Sequence, residues 1–275
     1  MLRVSALRCY TLAMSGTDKK ISEKIIIVER LSKNFEYTEK EPGFMGSIKN
    51  LITPVKKNLQ ALKSISFVIN QGELVGFIGP NGAGKTTTLK ILSGLLYPTS
   101  GFVQVLGFDP WNRQLEFLKK ISLVMGQKNQ LWWDLPARDT FELNKAVYEI
   151  SDHAYRETLT ELSEILETEK LLDIQVRRLS LGQRMRLELI AALLHKPKVL
   201  FLDEPTIGLD VVAQQKVRDF IFNYNRRFNA TIMLTSHNMD DLTDLAKRVI
   251  VINKGEVVFD GSLSELTSAT AREKL

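Results

Sequence analysis

Residues 73–92 read ELVGFIGPNGAGKTTTLKIL, an aliphatic run, a glycine-rich turn and a helix-forming run in immediate succession. The first part has the composition of a short buried strand and the last part, KTTTLKIL, opens a helix. Between them Gly79, Pro80, Asn81, Gly82, Ala83, Gly84, Lys85, Thr86 and Thr87 carry the G-x-x-x-x-G-K-T spacing of a phosphate loop. The spacing has a physical cause. Glycines let backbone N–H groups approach an anion, and the helix N-terminus adds partial positive charge. Lys85 is long enough to reach β- and γ-phosphates, and the Thr86 hydroxyl can face Mg²⁺. Alone, the pattern indicates a nucleotide and no more. An incidental glycine-rich turn is the simpler alternative, and the strand before and helix after argue against it.

Working outward, two further aliphatic runs, KVLFLD at 198–203 and TIMLTSH at 231–237, read as buried strands separated by helix-length stretches. That alternation predicts an α/β chain with a parallel sheet covered on both faces and ligands at the carboxyl ends of its strands. The FLDEP run delivers Asp203 and Glu204 to such an end. Adjacent acids there can divide labour, one holding a metal ion and the other taking a proton from water, although two acids near a helix start can also be plain caps. Residues 128–179 contain helical repeats such as ETLTELSEILETEKLLDI and no convincing strand, which predicts an inserted helical subdomain. VIVINKGEVVFDG, residues 249–261, predicts two strands joined by a tight hairpin at Asn253, Lys254 and Gly255.

Composition narrows the class without choosing within it. With 275 residues, 44% of them hydrophobic, the chain can build one large core. Its formal charge of +5 suits nucleotides, nucleic acid or acidic lipid equally. A single cysteine and three scattered histidines argue against a disulfide framework or a thiolate–imidazole metal cluster. The longest apolar runs, near 189–194 and 199–202, fall far short of the roughly 20 residues that cross a bilayer. Residues 1–20 are basic without a hydrophobic signal core and are expected to be a flexible extension rather than a targeting peptide.

The stretch LSLGQRMRLELIAALLHKP, residues 179–197, places Ser180 three residues before Gln183, the spacing of a capping box, and predicts an amphipathic helix that Pro197 stops. A helix start with free amides and a serine hydroxyl can meet a phosphate, although an ordinary well-capped helix would look the same. With this run the order becomes GPNGAGKTT, Gln127 in VMGQKNQ, LSLGQ, VLFLDEP, the Gly208-Leu209-Asp210 turn and His237 in LTSHN. That order resembles the ATP-binding-cassette (ABC) ATPases over residues 24–261. TTTLKILSGLLYPTSG and DEPTIGLD resemble in particular the daunorubicin-resistance type of export ATPase.

The resemblance implies a P-loop NTPase, RecA-like α/β fold with a mostly parallel sheet, an antiparallel β subdomain and an inserted helical subdomain. The expected organisation is a domain over 21–261, its helical part over about 128–185, and a short C-terminal helix over 262–275. It implies ATP hydrolysis by a dimer that sandwiches two ATP molecules, each between one subunit's phosphate loop and the other's signature helix. Lys85, Thr86 and Asp203 would serve ATP and Mg²⁺ in cis, and Gln127 would sense Mg²⁺ and the water. Glu204 would be the base and His237 would bind the γ-phosphate. Ser180, Gly182 and Gln183 would act in trans, and Asp210 would tie the two sites together. A separate transmembrane permease subunit and a second copy of this chain are the implied partners. The chain would thus sit at the cytoplasmic face of a membrane, with no nucleic acid expected. His153 and His195 keep the reading of ordinary structural histidines.

Two departures from the family pattern stand out. Leu181 occupies a position where glycine is common, which suits the fold only if that residue has negative φ, as a first helical residue does. An insertion, TEKEPGFMGSIKNLITPVKKN at 38–58, follows the strand that should carry the adenine-stacking aromatic. Phe35 and Tyr37 share one strand face, and Phe35 is the preferred candidate. Within the insertion, apolar residues from Phe44 to Val55 fall at helical spacing among lysines, which suits packing on its own domain or an interfacial contact. A soluble cassette acting on nucleic acid or ribosomes is the main rival. It lacks support in the 95-residue separation of Lys85 and Ser180, too short for a long coiled-coil insertion. A non-hydrolysing regulatory module is countered by the full set Gln127, Glu204 and His237. In QKNQLWWDLPARD, residues 127–139, adjacent Trp132 and Trp133 cannot share one core in regular structure, so one is expected at the surface as a contact anchor.

Overall fold

The structure is a computed structural model, and it describes residues 23–38, 56–126, 128–237 and 245–272. The chain begins with two long strands, β1 (Lys24–Thr38) and β2 (Lys56–Asn70), followed by β3 (Leu74–Ile78) and α1 (Lys85–Leu92). Next come β4 (Ser100–Val105), the single-turn α2 (Leu115–Leu118) and β5 (Ile121–Met125). The helical part follows as α3 (Ala137–Val147), α4 (Asp152–Ile165) and α5 (Leu181–Leu193). The chain then runs through β6 (Val199–Asp203), α6 (Val211–Phe228), β7 (Thr231–Ser236), β8 (Arg248–Asn253), β9 (Glu256–Ser262) and α7 (Leu263–Arg272).

Two sheets result. β2-β1-β4 is antiparallel, and β5-β6-β7-β3-β8-β9 is parallel except for its last strand. The central strands β3, β6 and β7 are buried along their whole length, as a parallel sheet covered on both faces requires. Alternation divides their side chains cleanly. Val75, Phe77, Val199, Phe201 and Met233 join the core shared with α1 and the antiparallel sheet. Leu74, Ile78, Leu200, Leu202, Ile232 and Leu234 join the core shared with α5, α6 and the helical part.

The register fixes where the loops emerge. Ile78 lies opposite Ser236, and Asp203 lies opposite Thr235. Consequently the residues that follow these strand ends, Gly79, Glu204 and His237, leave the sheet along one edge. The β8–β9 hairpin turns at Lys254 and Gly255, with φ of 46° and 81°, the two successive positive values of a tight two-residue turn. Its Gly255 N–H donates to the Ala83 carbonyl at 3.0 Å and so buttresses the glycine-rich loop.

Three expectations need correction. β1 and β2 remain paired out to Thr38 opposite Lys56, so the stretch between the strands is shorter than 38–58. The ladder is antiparallel, and such pairing continues wherever both strands stay extended. The predicted helix in that stretch lies outside the described residues, as does the extension at 1–20. The helix from Leu181 ends at Leu193 rather than running to Pro197, and Lys196, with φ of 51°, already lies outside any right-handed helix. Its second half is also buried all round, from Leu187 to Leu194, rather than amphipathic. Among the described residues no helix is long and apolar enough to cross a membrane.

Candidate active site

Gly84 precedes α1 in a left-handed conformation, φ 112°, and a Cβ there would lie 2.7 Å from Leu62 and 2.9 Å from the Ala61 carbonyl. Only glycine tolerates both the conformation and the approach. No side chain caps the helix, so its first amides remain available to an anion. Lys85, the first helical residue, folds back and donates from Nζ to the Gly79 carbonyl at 2.7 Å and the Pro80 carbonyl at 3.2 Å. The same ammonium lies 3.5 Å from Glu204 Oε1.

The Asp203 carboxylate is held from two sides. Its Oδ2 accepts from the Thr86 hydroxyl and its Oδ1 accepts from the Thr235 hydroxyl, each at 2.7 Å. Thr235 in turn accepts the Glu204 N–H on the same oxygen at 3.0 Å. Glu204 leaves β6 with φ of 52°, which turns the chain sharply at the strand end. Its Oε1 also lies 3.3 Å from His237 Nδ1, so Lys85, Glu204 and His237 form a line across the strand tips. Gly126 closes this corner: its N–H donates to the Asp203 carbonyl at 2.8 Å, and a Cβ there would come within 2.2 Å of the Glu204 carbonyl.

The glycine-rich loop and the two acids border a cavity of about 430 Å³. Asn81, Gly82, Gly84, Lys85, Thr86, Thr87, Asp203 and Glu204 belong to its lining. Phe35 also lines it, while Tyr37 lies outside it and is 49% exposed. The two aromatics, equivalent by strand alternation, are thus separated by the cavity, which takes Phe35 alone. Gln127 lies outside the described residues.

A second set of expected residues gathers elsewhere on the chain. Ser180 caps α5 by accepting the Gln183 N–H at 3.2 Å, and the Gln183 side chain accepts the Ser180 N–H at 2.9 Å, a complete capping box. Leu181 is the first helical residue and is not among those with positive φ, as its bulk requires. Gly182 packs against the start of α6, where a Cβ would lie 2.8 Å from that of Ala213. Asp210 caps α6 by accepting the Ala213 N–H at 2.9 Å. None of Ser180, Gly182, Gln183 and Asp210 lines the cavity. In one chain, then, the predicted site stands in two separate pieces.

Sequence reasoning missed several lining or bracing residues. Lys90, one turn beyond Thr86, and Lys128 both border the cavity and read in sequence as solvated lysines. Thr235 reads as an ordinary β-branched strand residue, yet it bridges both acids. His195 is more buried than a surface histidine: it stacks on Tyr148 at 3.9 Å, bonds the Ile121 carbonyl at 3.0 Å, and burial lowers its pKa. Trp132 and Trp133 depart from expectation, for both are half exposed, at 52% and 47%. The segment is a loop rather than a helix or strand, so the alternation rule does not separate them.

The chain is similar to known proteins over most of its length. Residues 62–207 match the model of the family described as ABC transporter. The chain is 32% identical over 220 residues to the ABC transporter ATP-binding protein NatA of Bacillus subtilis (strain 168), covering 80% of this chain and 89% of that protein. It is 32% identical over 211 residues to the bacitracin transport ATP-binding protein BcrA of Bacillus licheniformis, covering 75% and 66%. Among solved structures it is similar to the dimeric post-hydrolysis state of the ATP-binding cassette MJ0796 bound to ADP and Pi, with a TM-score of 0.71 and 25% identity over 87% of this chain and 99% of that one.

The Thr235 bridge can be broken without changing side-chain volume. Thr235→Val should lower kcat for ATP hydrolysis by about tenfold or more while leaving nucleotide affinity within about threefold, and Thr235→Ser should recover most of the loss. Steady-state kinetics and nucleotide titration on the three proteins check this. Equal rates for the valine and parent proteins would remove Thr235 from the site.

Proposed function

The chain belongs to the ABC transporter family as an ATP-hydrolysing subunit, and we propose that it works as half of an ATP-closed pair that drives export through a separate membrane-spanning chain. One observation carries the reading of the pair. Phosphate-loop residues, Asp203 and Glu204 surround one cavity with His237 against Glu204, while Ser180, Gly182 and Asp210 of the same chain stand outside its lining. A second copy that set its Ser180 helix start over that cavity would complete two equivalent sites.

In this reading Phe35 stacks on the adenine, and the amides of residues 79–87 cradle the phosphates. Thr86 Oγ1 and Asp203 Oδ2 are hard oxygen donors that already meet at 2.7 Å, a pair suited to Mg²⁺, with Gln127 as a further ligand. Once bound, the ion would offset charge on the β- and γ-phosphate oxygens. Lys85 exchanges its Gly79 and Pro80 carbonyls for phosphate oxygens, which also releases Glu204. Glu204 then takes a proton from water as the water oxygen bonds to the γ-phosphorus. The bond from that phosphorus to the bridging oxygen breaks, leaving its electron pair on ADP. His237 orients Glu204 and meets the γ-phosphate, and Asp210 communicates between the two sites.

Export is supported by the resemblance of TTTLKILSGLLYPTSG and DEPTIGLD to drug-export ATPases. The cargo is contacted by the membrane chain. This chain sits against the cytoplasmic face of the membrane through that partner. The contact is supported by Trp132 and Trp133, two half-exposed indoles on the loop that joins the nucleotide sheet to the helical part.

Two outcomes test this reading. Glu204→Gln should bind Mg²⁺-ATP about as well as the parent and keep less than about a tenth of its turnover, because the amide cannot accept the proton. Binding titration and phosphate release measure both, and greater residual turnover would give the role of base to another group. Alanine at Trp132 or Trp133 should leave ATP binding unchanged but weaken association with the membrane subunit by about 2 kcal/mol or more. Co-purification from membranes measures that loss, and undiminished capture of both variants would sink the docking assignment.

A further inference from the structure

α5 carries one side chain that neither core packing nor the chemistry above explains. Glu188 lies two turns beyond Ser180, between the core residues Leu187 and Leu189, and is only 3% exposed. A buried carboxylate is costly unless its oxygens are hydrogen-bonded. Here the partners are backbone amides. Oε1 accepts from the Gln130 N–H at 2.9 Å and the Leu131 N–H at 3.1 Å, and Oε2 accepts from the Gln130 N–H at 3.1 Å. Burial pushes the Glu188 carboxyl up, opposed by the Leu131 and Gln130 amides and by Arg184.

The same segment is held from two other directions. Gln130 donates from Nε2 to the Leu123 carbonyl of β5 at 2.6 Å. Arg184, one turn before Glu188 on the same face of α5, lies over the Trp133 ring at 4.9 Å. Residues 130–133 are therefore fastened to β5 on one side and to α5 on the other, with two half-exposed indoles at the outer edge. A leucine at 188 would fill a similar volume but leave the buried Leu131 amide and the part-buried Gln130 amide without this acceptor.

We propose that Glu188 is a positioning residue for hydrolysis, whose carboxylate locks the segment just after Gln127 to the helix that starts at Ser180. The helix start facing the partner's ATP and the tryptophan-bearing segment then move as one body. The proposal rests on the reading of the chain as half of an ATP-closed pair. It adds to that reading the link by which closure over ATP reaches the segment beside Gln127.

The full-length chain carrying Glu188→Gln or Glu188→Ala tests it through ATPase kinetics, thermal unfolding and amide exchange at Gln130 and Leu131. Glutamine keeps one acceptor oxygen but turns an NH₂ toward the Gln130 amide. It should speed exchange at that amide and lower kcat about fivefold, with KM for ATP within about twofold of the parent. Alanine should lower kcat by about thirtyfold or more. If alanine does not fold, glutamine decides. A glutamine variant with accelerated exchange but the parent kcat overturns the proposal, as does lost thermal stability with kcat intact or a raised KM alone. Glu204→Gln, run alongside, separates the two readings. If Glu204→Gln is inactive while both folded Glu188 variants run at the parent rate, only the strut is wrong. If Glu204→Gln itself turns over at the parent rate, the reading of the hydrolytic site fails and the proposal falls with it.

Discussion

The Asp203 carboxylate, gripped by the Thr86 hydroxyl on one oxygen and the Thr235 hydroxyl on the other, joins three separate parts of the chain at one point. Thr86 belongs to the helix after β3, Asp203 ends β6 and Thr235 lies in β7. An aspartate buried at a strand end pays for its desolvation only if such donors are fixed around it, and the parallel register fixes them. Because Asp203 lies opposite Thr235 and Ile78 opposite Ser236, the strand ends are level. The phosphate loop, Glu204 and His237 then follow at one edge without further contrivance. Slipping β6 against β7 by one residue would reverse its faces and remove the junction.

From that junction the rest of the arrangement follows in order of strength. The loop backbone is held by the β8–β9 turn through Gly255, and the Lys85 ammonium is held by loop carbonyls and Glu204. Lys85 and His237 both lie against Glu204 Oε1, so a phosphate at the loop would compete with Glu204 for the Lys85 ammonium. The α5 and α6 starts, by contrast, are tied to each other through Gly182 and Ala213 and present Ser180 away from the cavity. In the proposed pair it is the second chain that brings the α5 start to the phosphate loop.

Much of this was legible in sequence, for identifiable reasons. The phosphate loop, the buried strands and the capping box all depend on local chemistry: φ freedom at glycine, aliphatic runs with short bounds, and a three-residue reach from serine to glutamine. The hairpin at Lys254 and Gly255 was equally local. What sequence could not show depends on who faces whom. Thr235 has a complete explanation as a strand residue, so nothing in its neighbourhood points to Asp203. Lys90 and Lys128 look solvated until the fold bends a cavity around them. Glu188 sits in an apolar run whose one acid finds its acceptor role 57 and 58 residues away. The end of α5 comes at Leu193, with a positive φ at Lys196 that the apolar run does not announce, and β1 and β2 go on pairing into the ends of the 38–58 stretch.

The central claim is that one active site needs two chains, and complementation tests it directly. Ser180→Arg spoils the helix start but leaves the phosphate loop, and Lys85→Ala spoils the phosphate loop but leaves the helix start. Each variant alone should be inactive. In an equal mixture with free exchange, half of the dimers combine the two and half of their sites are intact, so roughly a quarter of the parent rate should return. Mixed dimers verified by two different tags that hydrolyse no ATP would contradict the account.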